Sequence, residues 1–219
     1  MRYKNYICDL DGTLLNTIDD LREAVNHALR ENELPLRTHA EVLSFVGNGI
    51  RLLIERAMPN DGDRHPKFDA VFDSFRAYYA IHCEDKTAPY DGILEMLRAL
   101  KADGCRIAVV SNKVDSAVQK LMPVYFGDLI DVAVGENEAA GIRKKPAPDA
   151  VFYAREKLGA TKEDSVFIGD SEVDYQTAVN AGLPCISVLW GFRTREFLEG
   201  YGASDFVTDP DEIVRRQTQ

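Results

Sequence analysis

The chain has 219 residues, 45% of them hydrophobic and 28% charged, with a formal net charge of −10. That size and composition suit one large globular domain, or a core with a smaller insert. The negative charge disfavours a nucleic-acid backbone or an anionic membrane as partner, no apolar run approaches the ~20 residues needed to span a bilayer, and the first residues contain no signal-peptide core, so a cytoplasmic setting is expected.

The first apolar run, Tyr6-Ile7-Cys8, reads as a short strand and leads directly into Asp9-Leu10-Asp11-Gly12-Thr13. Side chains two apart in a strand point the same way, and the glycine lets the chain turn sharply. Two acids therefore crowd one strand tip, where they repel unless a cation or a shared proton compensates. An ordinary acidic Asp-Gly turn is the plainer alternative. From residue 15 to 87 the pattern turns helical. Thr17-Ile18-Asp19-Asp20 has the form of a capping box, followed by Leu21, Val25, Ala28 and Leu29 at helical spacing. Val46-Gly47-Asn48-Gly49-Ile50-Arg51 falls between two helical stretches, and its glycines permit a tight turn. Phe68, Phe72, Phe75 and Tyr79 form a further helical stripe, best explained as packing inside a small bundle. No convincing strand lies in this stretch. It reads as a helical insert, residues 15–87, that leaves through Thr87-Ala88-Pro89-Tyr90, dividing a core made of residues 1–14 and 88–219.

Beyond the insert, strand-like and helical segments alternate. Asp91-Gly92 opens a helix with Ile93, Leu94, Leu97 and Leu100 on one face. Strands are expected at 105–110, 165–168 and 184–188, with a weaker one at 130–134. Asp149 is positioned to cap a helix that turns Val151, Phe152 and Leu158 inward and stops at Gly159, and residues 172–181 form another helix. Alternation of this kind predicts an α/β fold whose parallel sheet is covered on both faces. The four cysteines, Cys8, Cys83, Cys105 and Cys185, are scattered and form no C-x-x-C pair, which argues against a zinc or redox motif.

Three more polar groups fall at predicted strand ends or before helices: Ser111-Asn112-Lys113, Lys144-Lys145-Pro146-Ala147-Pro148, and Gly169-Asp170-Ser171-Glu172-Val173-Asp174. Open α/β sheets bind ligands outside the carboxyl ends of their strands, so Asp9, Asp11, Ser111, Lys145 and Asp170 are expected to converge there. Singly, Ser111 and Asp170 could each be a helix cap and Lys145 a solvated cation.

The ordered set D-x-D-G-T, S-N, K-P-x-P and G-D-S-x-x-D resembles the haloacid dehalogenase superfamily over essentially the whole chain. Ser111-Asn112-Lys113, the K-P-x-P segment, the G-D-S-x-x-D segment and Trp190-Gly191-Phe192-Arg193 are most similar to phosphoglycolate phosphatases. The resemblance implies a Rossmann-like core with an inserted α-helical cap. It implies that Asp9 attacks phosphorus to form an aspartyl phosphate, and that Asp11 protonates the leaving oxygen and later takes a proton from water. Mg²⁺ would be held by the Asp9 carboxylate, the Asp11 backbone carbonyl and the Asp170 carboxylate. Phosphate binding would fall to Gly12, Thr13, Ser111, Asn112 and Lys145, partly through backbone N–H groups. Asp174 would orient Lys145 or a metal-bound water, unless it is an exposed helix acid, and Asn48 and Arg51 of the cap would select the leaving group.

The implied partner is one small phosphorylated metabolite, with the chain acting as monomer or dimer. An acid at position 11 separates this chain from the dehalogenase branch. Lys67 and Lys86, the only insert lysines, lie near segment ends, against a Schiff-base branch. The expected activity is a Mg²⁺-dependent phosphatase. The alternatives are a sugar-phosphate mutase, a pyrophosphatase or nucleotidase of the same superfamily, and more distantly a receiver-like phosphoacceptor. Asn16 stands where the family often has an acid, at the hinge into the insert, and should affect cap motion or substrate range, not the chemistry.

Overall fold

The computed structural model describes residues 3–59 and 62–218. In chain order the elements are β1 (Asn5–Cys8), β2 (Leu15–Asn16), α1 (Ile18–Glu31), α2 (His39–Phe45), α3 (Ile50–Ala57), α4 (Phe68–His82), β3 (Ala88–Pro89), α5 (Ile93–Ala102), β4 (Arg106–Val114), α6 (Asp115–Tyr125), β5 (Val132–Glu136), α7 (Asp149–Leu158), β6 (Ser165–Gly169), α8 (Glu172–Ala181), β7 (Cys185–Val188), α9 (Arg195–Glu199), β8 (Phe206–Val207) and α10 (Pro210–Thr218). They fall into two compact units, one of Met1–Leu15 with Pro89–Gln219 and one of Asn16–Ala88.

The larger unit is built on a six-stranded sheet in the order β5-β4-β1-β6-β7-β8, with every adjacent pair parallel. Ile7 of β1 is in register with Ala108 of β4 on one side and Phe167 of β6 on the other. The chain steps outward from β1 to β4 and β5, then returns to the far side of β1 for β6, β7 and β8. That reversal sets the carboxyl ends of β4, β1 and β6 side by side, the place where this architecture leaves a crevice.

Strand alternation fills both faces. Tyr6, Cys8, Ile107, Val109, Val166 and Ile168 pack with Ile93, Met96 and Leu97 of α5, Val118 and Leu121 of α6 and Ile213 of α10. Ile7, Ala108, Val110 and Phe167 point the other way, onto Ala150, Val151, Ala154 and Leu158 of α7 and Ala178 and Ala181 of α8. Helices on both faces explain why the central residues of these strands, 6–8, 107–110 and 166–168, are apolar on both sides.

The smaller unit is helical. Leu21, Val25, Ala28 and Leu29 of α1, Val42 of α2, Leu53 and Ile54 of α3, and Phe68, Val71 and Phe75 of α4 are buried. The aromatic stripe on α4 stacks along the helix, Phe68 on Phe72 and Phe75 on Tyr79. The segment after α4 is fastened by Asp20, whose buried carboxylate accepts from the Lys86 N–H at 3.0 Å, the Thr87 N–H at 2.8 Å and the Thr87 hydroxyl at 2.8 Å.

Several expectations from the sequence are corrected by the fold. Thr17 precedes α1 but makes no side-chain cap. Asp20, the acid that would complete its capping box, is committed to Lys86 and Thr87, and Asn16 Oδ1 accepts from the Ile18 N–H instead. Asp149 is the first residue of α7, not its cap, because Arg143 draws its carboxylate into an ion pair at 2.7 Å. Phe152 is 47% exposed, the inward face of α7 being taken by small and aliphatic residues. The expected strand at 130–134 runs two residues later, as β5. Strand β4 continues through Ser111-Asn112-Lys113, which therefore lie within the strand and not after it. Strand β8 and helices α6, α9 and α10 are not among the elements expected from the sequence.

Asp20→Ala leaves two backbone donors and a hydroxyl in a buried place without their acceptor. It is expected to destabilise the helical unit by about 3 kcal/mol, with Asp20→Asn losing less, as measured by urea denaturation.

Candidate active site

Strand β1 ends at Cys8, but its ladder continues one residue further, the Asp9 N–H donating to Ile168 O at 2.9 Å. The turn that follows is drawn tight by the Leu10 carbonyl, which accepts from the N–H groups of Leu14 and Leu15 at 3.0 and 2.9 Å. Gly12 adopts φ 94°, a left-handed value that glycine tolerates. A side chain there would collide with the Asp170 carboxylate, 2.5 Å from the Cβ position. This turn places Asp9 inward, nearly buried, and Asp11 more open, with a side chain 22% exposed.

Lys145 lies between two acids. Its ammonium is 2.6 Å from Asp9 Oδ1 and 2.6 Å from Asp174 Oδ1, with the lysine side chain only 3% exposed. The backbone of Lys145 is held from β4, where Asn112 Oδ1 accepts from the Lys145 N–H at 2.6 Å and Asn112 Nδ2 donates to the Lys145 carbonyl at 3.2 Å. Asp174 is fully buried in the first turn of α8 and forms a capping box with Ser171, its Oδ2 accepting from the Ser171 hydroxyl at 2.6 Å. The alternative of an exposed helix acid is thereby corrected.

Asp170 sits at the end of β6 with no exposure. Its two oxygens are held apart by different elements, Oδ1 by the Thr13 hydroxyl at 3.0 Å and Oδ2 by the Phe192 N–H at 2.8 Å. Trp190 completes the frame, its indole N–H donating to the Thr13 carbonyl at 2.9 Å. Gly191 between them is required by space, since a Cβ would lie 2.3 Å from both the Asp170 Cβ and the Gly12 carbonyl. The Gly12 N–H is engaged with Leu15 O at 2.8 Å and the Thr13 hydroxyl with Asp170. The donors of these two expected phosphate ligands are thus engaged within the chain, the Thr13 hydroxyl on Asp170 itself.

Oxygens of Asp9, Asp170 and Asp174 lie within 4.8 Å of one another in a buried place. Burial, followed by the charge on Asp174, raises the Asp9 carboxyl well above the ordinary range against the pull of Lys145. Burial and the same Asp174 charge push Asp170 up to about 7, opposed by the Phe192 N–H, the Thr13 hydroxyl and Lys145. Burial works against the charged form of Lys145, but Asp174 and Asp9 outweigh it and raise its pKa. Three buried carboxylates around one ammonium are under-compensated in positive charge. An all-oxygen donor set of this kind fits a hard divalent cation. Each of the three already accepts from the chain, Asp9 and Asp174 from Lys145, Asp174 also from Ser171, and Asp170 from Thr13 and Phe192.

Ser111 is buried at the end of β4, its Oγ accepting the Lys113 N–H at 3.1 Å. Lys113 in turn reaches Asp11, its ammonium 3.1 Å from Oδ1. The structure thus brings Asp9, Asp11, Ser111, Asn112, Lys145, Asp170 and Asp174 together within the larger unit. Asn48 and Arg51 belong to the helical unit. Asn48 lies in the turn between α2 and α3, where Gly47 and Gly49 have φ of 110° and 85°. Arg51 is on the first turn of α3, exposed, with its guanidinium 4.8 Å above the Phe68 ring. The Asp11–Lys113 pair and the Trp190–Phe192 clamp are contacts that the sequence reading misses. The only local signals are a lysine two residues after Ser111, hence on the same strand face, and a glycine beside an aromatic pair just after a strand.

Residues 6–188 match the family described as haloacid dehalogenase-like hydrolase. A phosphoglycolate phosphatase of Pseudomonas syringae pv. syringae (strain B728a) is 34% identical over 191 residues, covering 84% of this chain and 69% of that protein. One from Nitrosospira multiformis is 34% identical over 218 residues, covering 96% and 91%. A crystal structure from Lactobacillus delbrueckii subsp. bulgaricus, assigned as a phosphoglycolate phosphatase, superposes with a TM-score of 0.94 at 35% identity, covering 99% of each chain. The chain belongs to the haloacid dehalogenase-like hydrolase family. Within it, this is a phosphomonoester hydrolase of the phosphoglycolate phosphatase-like kind. No helix among the described residues is long and apolar enough to cross a membrane.

A divalent cation at 100 times its Kd would stabilise the folded chain by about 2.7 kcal/mol, visible as a rise in Tm. Gly191→Ala, which pushes against Asp170 and the Gly12 carbonyl, is expected to reduce that rise by about half or more in thermal-shift measurements.

Proposed function

We propose that this site hydrolyses small phosphomonoesters through a covalent phosphoenzyme, with 2-phosphoglycolate as the substrate nearest to hand. The observation that carries the reading is the buried Asp9–Lys145–Asp174 arrangement, with Asp11 two residues beyond Asp9 on a tight turn. It supplies a nucleophile, a cation for the phosphoryl group and a second, more open carboxyl for proton transfer. The relatives named phosphoglycolate phosphatase support the substrate class.

In the first step an Asp9 oxygen attacks phosphorus. The Asp9–phosphorus bond forms as the bond to the leaving oxygen breaks, and Asp11 delivers a proton to that oxygen. Lys145 and the Ser111 hydroxyl stabilise the equatorial oxygens, Asn112 keeping the Lys145 backbone in place. In the second step Asp11 takes a proton from water, the water oxygen bonds to phosphorus, and Asp9 is released. Asp174 holds the lysine between the two acids throughout. Mg²⁺ would be held by the Asp9 and Asp170 carboxylates with the Asp11 carbonyl. When bound it supplies positive charge that screens the nucleophile from an anionic substrate and polarises a phosphoryl oxygen. Selection of the leaving group is assigned to the helical unit, through Asn48 and Arg51, so that this unit acts as a cap. The partner is a single small metabolite in the cytoplasm, the chain working as monomer or dimer.

Asp9→Asn should reduce kcat toward any phosphomonoester by at least about 10³-fold, since the nucleophile is gone. Retention of wild-type turnover in steady-state phosphate-release assays would refute the mechanism. Arg51→Ala is expected to lower kcat/KM for the best substrate by about tenfold while leaving the release of p-nitrophenol from p-nitrophenyl phosphate less affected. An unchanged kcat/KM for that best substrate would remove Arg51 from the specificity set.

A further inference from the structure

Three basic side chains of the larger unit stand at the acid cluster or at the segments that frame it. Lys145 is spanned by Asp9 and Asp174. Arg193 follows the clamp residue Phe192 and pairs with Glu172 at 3.1 Å, the two side chains being 8% and 13% exposed. Lys113 stands beside Asp11. Its side chain is 9% exposed and its ammonium is 3.1 Å from Oδ1 of Asp11. It projects from the irregular end of β4, where the register with β5 shifts between Val110 and Val114, and its N–H is tied to the Ser111 hydroxyl. A bulge at a strand end is a common device for re-aiming a side chain toward a site.

Asp11 is the carboxyl that must touch the leaving oxygen, at about 2.7 Å in any productive complex. A cation fixed beside that carboxyl therefore stands close to the leaving group. We infer that Lys113 is a specificity residue that pairs with an anionic substituent, a carboxylate, carried one carbon away from the leaving oxygen. A substrate of the 2-phosphonooxy acid type places its carboxylate two bonds beyond the bridging oxygen, within reach of an ammonium that already approaches Asp11 at 3.1 Å. A neutral leaving group offers this cation nothing. The inference rests on the phosphatase reading above and deepens it, because it assigns part of the substrate choice to the core of the enzyme and not to the helical unit alone.

The test compares two substrates that differ only in this group, 2-phosphoglycolate and 2-hydroxyethyl phosphate, in wild type, Lys113→Met and Lys113→Arg. The wild type should favour phosphoglycolate. In Lys113→Met the ratio of the two kcat/KM values should fall by about tenfold or more, chiefly through a higher KM for phosphoglycolate, and Lys113→Arg should keep most of the ratio. A smaller fall, or parallel losses on both substrates, overturns the inference while leaving the phosphatase reading intact, since the wild type still turns over both. A wild type that does not favour the anionic substrate overturns it too. Should Lys113→Met not fold, Lys113→Gln measured on the same two esters decides in its place. A wild type that hydrolyses neither these nor p-nitrophenyl phosphate overturns the phosphatase reading, and this inference with it.

Discussion

One ammonium group, Lys145 Nζ, is shared by Asp9 and Asp174 in a place that solvent barely enters. Removing three carboxylates from water is expensive, and a single lysine does not balance them. Much of the larger unit can be understood as the scaffolding that makes this tolerable. Asn112 grips the lysine backbone from β4, Ser171 caps α8 against Asp174, and Thr13 with the Phe192 N–H divides the two oxygens of Asp170. Each of these supports comes from a different strand end. The parallel order, with its reversal beside β1, is what brings those ends to one spot.

The same arrangement separates two acids only two residues apart. Asp9 continues the β1 ladder and turns into the buried cluster, where burial and the neighbouring charge on Asp174 hold its carboxyl in the high range. Asp11, past the turn, is more open and faces Lys113. Two carboxylates of identical chemistry thus acquire different environments from a single reversal of the chain, which is the physical basis for giving them different tasks.

The elements legible in the sequence are those whose signal is local. The strand before Asp9 and those at 165–168 and 184–188 are short apolar runs, and the helix from Glu172 to Ala181 follows one of them and stops at Gly182. Ser111, Lys145 and Asp170 can be placed because a parallel sheet puts strand ends together, whereas Asp174 enters only through the family resemblance. What escapes is non-local. Thr17 has the form of a helix cap, and nothing near it in the chain reveals that Asp20 binds Lys86 and Thr87, far along the sequence. Helical spacing turns Phe152 inward, but the sheet face it would meet is already filled from neighbouring turns of α7. The Asp11–Lys113 pair depends on a register shift at the end of β4, which no residue pattern announces.

Trp190 is the one tryptophan of the chain, and its indole N–H is bonded to the carbonyl of Thr13, in the turn that carries both acids. Indole emission responds to hydrogen bonding and local polarity. The protein therefore carries a built-in optical reporter on the backbone of the turn that holds Asp9 and Asp11. On the proposed mechanism, cation entry, phosphorylation of Asp9 and release of product would all act on that turn, so each would be followed in the unlabelled wild-type chain by ultraviolet fluorescence, with no second tryptophan to obscure the signal.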